Sequence, residues 1–268
     1  MRPPYTFITT LGRVGDQVTL RQVPWATLVV QAHEFVAYSL AYPDNDVVAL
    51  PVGITTLGPT RKWCLENLAS EYGKIILLDD DLTISFRNTP GDYHLKVATP
   101  EQVEALFDSV SNLLDGYAHV SVSGREGQNR MSPEESLPLA NGRYMRFLAY
   151  NVTLFPPGIE VGRVDGMSDF DLNLQLLRSG QESRLITRWA QGHRGTQAPG
   201  GCTEQRTQDK HTAEVMFMAE THAPFVTAVD KVNKTGGDFG TRKEVRVQWK
   251  KAFESSQVNT SSGPGEVT

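Results

Sequence analysis

Two cysteines in 268 residues, Cys64 and Cys202, are too few and too far apart for a disulfide framework, and neither stands in a CxxC or Cys/His zinc spacing. That usage fits a reducing compartment, and neither thiol begins as a catalytic candidate. No run of apolar residues approaches the ~20 needed to span a bilayer, and residues 1–10 lack the basic start and apolar core of a secretion signal. A cytoplasmic protein with no membrane partner is therefore expected. Net positive charge is missing too: 26 lysines and arginines face 31 acids, which excludes a whole-surface electrostatic grip on nucleic acid. Any such contact must be local. Two basic stretches could provide it or could simply be solvated surface: Arg184, Arg188, Arg194 and Arg206 with His193, and Arg242, Lys243, Arg246, Lys250 and Lys251. There is no GxxxxGK[ST] phosphate loop, and Gly12-x-x-Gly15 falls short of a dinucleotide fingerprint. His193 and His222 have no partner at metal-ligand spacing.

What the chain does have is a regular alternation of short apolar runs with helical stretches, the pattern of βαβ units and a largely parallel sheet. The spacing predicts strands at Tyr5–Thr9, Ala26–Gln31, Val47–Leu50 and Lys74–Leu78. Between the last two, Pro59 opens a helix with Leu65, Leu68, Ala69 and Tyr72 on one face, and Gly73 closes it. Thr99, Pro100 and Gln102 form a capping-box start for a helix whose Val103, Leu106, Phe107, Val110 and Leu114 share a face. A strand over Ala118–Ser123, a polar loop to about Asn141 and a strand over Tyr144–Leu154 follow. Ser168 is placed to cap a helix that runs to Ser179 and stops at Gly180, with Asp171 as its helix-start partner. Residues 191–209 read as loop, 210–222 as helix, and Ser255–Thr268 as a tail too polar to order itself. The expectation is one α/β domain over residues 1–254 with a disordered tail over 255–268.

The strand Lys74–Leu78 runs directly into Asp79, Asp80 and Asp81. Like charges ~4 Å apart repel by roughly 4 kcal/mol at an effective dielectric of 20, so solvent, protonation or a cation must relieve the cluster. In open α/β sheets the ligand crevice lies at the carboxyl ends of the strands, where these acids fall. Hard oxygen ligands suit Mg²⁺ or Mn²⁺, which could bridge carboxylate to diphosphate; a solvated acidic loop is the other reading. Asp79 and Asp81, two apart in extended chain, can face one way while Asp80 faces elsewhere. Asp169, in the first turn of its helix, could take a proton from an acceptor hydroxyl or be ordinary helix dressing. Arg13 and Arg61 could hold phosphate or pair on the surface. Gly200-Gly201-Cys202 marks a turn where backbone can approach a ligand.

An ordered set of segments resembles the TET/JBP-associated glycosyltransferases, many of them from bacteriophages. The segments are Thr10-Leu11-Gly12-Arg13, Pro51-Val52-Gly53-Ile54 with Arg61-Lys62-Trp63, Leu77-Leu78-Asp79-Asp80-Asp81-Leu82, and Ser123-Gly124-Arg125-Glu126-Gly127-Gln128-Asn129-Arg130. Met167-Ser168-Asp169-Phe170-Asp171, Ala198-Pro199-Gly200-Gly201-Cys202 with Gln205-Arg206-Thr207, and Val245-Arg246-Val247-Gln248-Trp249-Lys250-Lys251 complete it, over roughly residues 5 to 253. The resemblance implies a GT-A-type fold: one open, mostly parallel twisted sheet with helices on both faces. It also implies a UDP-sugar donor, a divalent metal (Mn²⁺ or Mg²⁺) and a 5-hydroxymethylpyrimidine in DNA as acceptor, 5-hydroxymethylcytosine first. By that resemblance Asp79 and Asp81 take the metal, and Thr10, Arg13, Arg61 and Asp80 take the donor. Asp169 becomes the base, and Arg194, Gly200, Gly201, Cys202 and Arg206 the acceptor side. One departure is Ser168, where relatives tend to carry an acid. A protein, lipid or glycan acceptor, or a non-catalytic module binding nucleotide or modified DNA, are the competing readings.

Overall fold

A computed structural model of the chain describes residues 5–69, 73–87, 94–125, 139–193, 207–232 and 241–261. Its first half alternates as expected: β1 (Thr6–Thr9), β2 (Thr27–Val30), α1 (Phe35–Ala41), β3 (Val47–Ala49), α2 (Leu57–Asn67) and β4 (Lys74–Asp79). Next come β5 (Leu82–Phe86), β6 (Lys96–Val97), α3 (Pro100–Leu113), β7 (His119–Gly124), β8 (Leu139–Ala140) and β9 (Phe147–Asn151). The remainder holds α4 (Ser168–Arg178), β10 (Ser183–His193), α5 (Gln208–Thr221), β11 (Val226–Val232), β12 (Thr241–Val247) and α6 (Trp249–Ser261).

Ten strands form one sheet in the order β3-β2-β1-β4-β9-β7-β10-β5-β6, with β8 against β10. All point one way except β5, β8 and β9. This is the open, mostly parallel sheet of the expected GT-A-type architecture. Alternate residues of the central strands feed two cores. Ile8, Leu28, Ile76, Leu78 and Val120 pack under Tyr38 of α1 and Val103, Leu106, Phe107 and Val110 of α3. Phe7, Val29, Ile75, Leu77 and Leu148 pack under Cys64 and Leu65 of α2 and Leu172 and Leu176 of α4. A sheet covered on both faces requires nearly unbroken apolar strands, which is why Ile75–Leu78 carries no polar residue. The other side of α4, Leu174 and Leu177, packs against α5, α6 and the β11–β12 hairpin.

The capping box at Thr99 is present, with Thr99 Oγ1 accepting from Gln102 N and Gln102 Oε1 accepting from Thr99 N. Other expectations require correction. The second helix begins at Leu57 rather than Pro59 and ends at Asn67. The strand expected to reach Leu154 ends at Asn151, whose side-chain oxygen accepts from Thr153 N and turns the chain into a short 3-10 helix over Val152–Leu154. Residues 191–193, expected as the start of a loop, are strand, because β10 pairs with β5 through His193. The helix expected over 210–222 spans Gln208–Thr221, with Thr207 accepting from Lys210 N. The tail expected from Ser255 is helical through Ser261, since Ala252 and Phe253 bind α6 into the core around α4.

Candidate active site

Chain order locates the crevice before any side chain is considered. From β1 the chain moves outward through β2 and β3, then returns to the opposite flank of β1 with β4. Such a reversal opens a crevice beyond the carboxyl ends of the two strands. Thr9 and Asp79 are register partners, so Thr10–Arg13 and Asp80–Asp81 enter the crevice side by side.

Hydrogen bonds fix both segments. Thr10 Oγ1 donates to Asp80 Oδ2 at 2.7 Å and accepts from Gln17 Nε2 at 2.7 Å. With the Thr10 proton committed to Asp80, the Tyr38 hydroxyl 2.9 Å away donates to Thr10 and itself accepts from the Arg13 amide at 3.1 Å. The Arg13 guanidinium binds Asp80 Oδ1 and lies 3.3 Å from Asp81 Oδ2. Thr19 holds the acids from behind: its hydroxyl donates to Asp79 O at 2.6 Å and accepts from Leu82 N at 2.8 Å, and its amide donates to Asp80 O at 3.1 Å. The triplet is therefore a fixed turn between β4 and β5, with the middle acid turned inward to Thr10 and Arg13.

A second cluster forms around Arg61, one helical turn into α2 and 5% exposed. Its guanidinium donates to Ser168 Oγ at 2.8 Å, lies 3.4 Å from Asp79 Oδ1 and 3.9 Å from Asp169 Oδ1. Asp169 is in the first turn of α4, where it accepts from the Phe170 amide at 3.0 Å. Arg61 thus ties Asp79 of β4, an expected metal ligand, to Asp169 of α4, the expected base. The approach is close: a Cβ on Gly58 of α2 would lie 2.4 Å from Val164 O, and Gly162, at φ +77°, abuts Gly58 O.

The acids are incompletely compensated. Burial pushes the Asp79 carboxyl up, Asp81 and Asp169 push it further, and Arg61 and Arg146 only partly oppose this. Burial likewise pushes Asp80 up to about 6 despite Thr10 and Arg13. Among the described residues no group of three or more His, Cys, Asp or Glu stands at metal-holding distance. A Mg²⁺-like ion needs only one or two carboxylates when phosphate oxygens complete its shell. The donor set fits that case: Asp79 and Asp81 keep side-chain exposures of 30% and 15%, whereas Asp80 has 7% and both its oxygens engaged.

The structure brings Thr10, Arg13, Asp80 and Asp81 into one cluster and Arg61, Asp79 and Asp169 into another. Arg194, Gly200, Gly201, Cys202 and Arg206 lie outside the described residues. Ser168 is not the helix cap expected: Met167 holds that position, Ser168 is the first helical residue, and its hydroxyl serves Arg61. Nor does Asp171 partner Ser168. It is 1% exposed, bound by the Arg163 guanidinium, and accepts from His222 Nε2 at 2.7 Å. Burial alone would raise its carboxyl, but hydrogen bonds from His222 and Arg163 outweigh that and hold it below the ordinary range. Tyr38, Gln17 and Thr19 carried no signal in the sequence, because each acts through a partner 7 to 63 positions away.

The TET-associated glycosyltransferase family model matches residues 5–201, which span both clusters. The chain belongs to that family. It is a glycosyltransferase, and its curated relatives include the beta-glucosyl-HMC-alpha-glucosyl-transferase of Enterobacteria phage T6, 28% identical over 223 residues, 76% of each chain. The protein of the same description from Enterobacteria phage T2 is 28% identical over 200 residues, 69% of this chain and 68% of the relative. Among solved structures, the 4-diphosphocytidyl-2C-methyl-D-erythritol synthase of Anaerococcus prevotii superposes with a TM-score of 0.41 at 12% identity, covering 80% of this chain and 96% of that one. Among the described residues of this glycosyltransferase no helix is long and apolar enough to cross a membrane.

Proposed function

We propose that this glycosyltransferase moves a sugar from a UDP-sugar to a hydroxyl carried by a 5-hydroxymethylpyrimidine in DNA, 5-hydroxymethylcytosine first. The observation that carries the reading is the Arg61 bridge, which holds Asp169 across the switch-point crevice from Asp79. In the proposed step the acceptor oxygen bonds to the anomeric carbon, the bond from that carbon to the diphosphate oxygen breaks, and the acceptor proton passes to the Asp169 carboxylate. Arg61 and the positive end of α4 set positive potential beside that carboxylate, and Ser168 fixes the guanidinium that does so. Arg13 and Arg61, which hold the acids from the two sides of the triplet, would add a diphosphate oxygen to the carboxylates they already bind. Asp79 and Asp81 would hold Mn²⁺ or Mg²⁺, which supplies charge neutralisation to the departing nucleotide when bound. A base within a duplex must be extruded to reach such a crevice, so a flipped or single-stranded acceptor is part of the reading.

A second acceptor is favoured by the names of the phage relatives, which describe transfer to beta-glucosyl-HMC. There the receiving hydroxyl belongs to a sugar already on the base. The test is incubation with UDP-sugars and Mn²⁺ on unmodified, hydroxymethylated and glucosyl-hydroxymethylated DNA, followed by mass analysis of nucleosides. A hexose-sized gain on the second substrate supports the first acceptor, and one on the third substrate alone supports the other. Asp169→Asn should abolish the gain while UDP still raises the melting temperature. No gain on any modified DNA with any UDP-sugar sinks the proposal.

A further inference from the structure

The segment that enters β9 reaches the same crevice. Leu78 pairs with Phe147 and the Asp79 amide donates to Arg146 O at 3.1 Å, so the segment arrives beside the acids at Arg146, having started at Asn141, whose amide donates to Ser183 O at the amino end of β10. Within that segment Arg143 is exposed while its neighbours are anchored. Gly142 O accepts from Asn173 Nδ2 at 3.1 Å, and Tyr144 is fully buried. The Arg143 guanidinium lies over the ring of Phe170, 5.2 Å from its centroid. Phe170 follows Asp169 in α4, and the edge-on ring of Trp249, 5.2 Å away at 90°, supports it from α6.

A guanidinium stacked on an aromatic face keeps its N–H donors in its own plane, directed outward, and loses less freedom when it binds a phosphate. Three other arginines near the crevice are held by carboxylates: Arg13 by Asp80, Arg61 by Asp79, and Arg163 by Asp171; Arg146 is half-buried beside Asp79 and, unlike Arg143, is not exposed. Among the described residues Arg143 has no such carboxylate, and neither do the exposed Lys250 and Lys251 that follow Trp249. An exposed arginine on a fixed backbone, lying over the residue that follows the expected base, and two exposed lysines that follow the tryptophan supporting that ring place positive charge on both aromatic supports, a positive rim in an otherwise acidic chain.

We propose that Arg143, positioned by Phe170 and Trp249, contacts a phosphodiester of the DNA next to the acceptor nucleotide, with Lys250 and Lys251 extending the track. This inference rests on DNA as the acceptor. It is tested on the full chain by fluorescence anisotropy with unmodified and hydroxymethylated DNA across a salt series, for wild type, Arg143→Ala and Arg143→Lys. Arg143→Ala should weaken binding roughly fivefold on every sequence and flatten the slope of log affinity against log salt by about 0.9, the loss of one phosphate contact. Arg143→Lys should restore the slope but not the full affinity, since charge returns without the planar fork. The thermal shift with UDP should be unchanged in both. Wild-type affinity and slope in Arg143→Ala, a loss of UDP binding in place of DNA binding, or no DNA binding by the wild type would each overturn the assignment. DNA binding that depends on Arg143 in a protein that transfers no sugar would sustain the rim and defeat the acceptor reading.

Discussion

Asp80 offers a test of the crevice that needs no substrate. Its carboxyl moves from an ordinary 3.8 to about 6 because burial outweighs Thr10 and Arg13. A group raised in the folded state stabilises the fold while protonated, and that contribution disappears as pH climbs from the unfolded value through the folded one. The size follows from the displacement: about 3 kcal/mol lost between pH 4 and pH 7. Asp80→Asn keeps the shape and cannot titrate, so the difference between wild type and variant isolates the carboxyl from every other group. Urea unfolding at half-unit steps from pH 4 to pH 7, with EDTA present so that no cation offsets the acids, should show wild type losing about 3 kcal/mol relative to the variant as pH rises. The steepest change should fall between about 4 and 6. A flat difference would mean that the carboxyl is not desolvated. A difference of opposite sign, with wild type gaining as pH rises, would mean that the Arg13 ion pair dominates, and the account of the triplet would fail.

The hydrogen bond from Arg61 to Ser168 is charged and buried, so a double-mutant cycle with Arg61→Met and Ser168→Ala should yield about 1.5–3 kcal/mol of coupling by denaturant unfolding; additive changes would show the contact to be idle. Asp171→Asn should cost roughly 3 kcal/mol at pH 7 by leaving the half-buried Arg163 and the buried His222 without their carboxylate. Because the Asp171 carboxyl is held low, that penalty should shrink as pH falls below the unfolded value near 4, and a penalty that grows instead would contradict the assignment. Gly58→Ala must displace Val164 O from 2.4 Å, and a loss of about 1–3 kcal/mol is expected, with turnover falling too because the same loop leads into Ser168 and Asp169. Unchanged melting would show that the 158–166 loop yields freely.

Local signals carried the first half of the fold. The apolar runs of β1, β2 and β4 lie between two covering layers and have no polar interruption to confuse them, and the Thr99 capping box is a contiguous pattern whose chemistry is complete within four residues. The acids at the end of β4 were legible for the same reason, as a charge cluster abutting a buried strand. β10 was not legible: its register shifts between Ile186 and Ala190, which breaks the two-residue alternation, and Arg184 and Arg188 lay their guanidiniums over Tyr117 and Phe86. The β11–β12 hairpin was hidden because its exposed face is charged and its apolar face is small. By itself, then, the sequence determined the α/β class, the position of the acidic turn and the presence of an acid in the first turn of α4. Only the tertiary structure decided how those acids differ. Asp80 is turned inward because Thr10 and Arg13 return from β1 to meet it, Asp79 and Asp169 share one guanidinium because Gly58 lets α2 approach the loop that leads into α4, and Asp171 is drawn away into a structural contact with His222. Each of those distinctions depends on a partner distant in sequence, and distance in space is what a linear pattern of residue types does not encode.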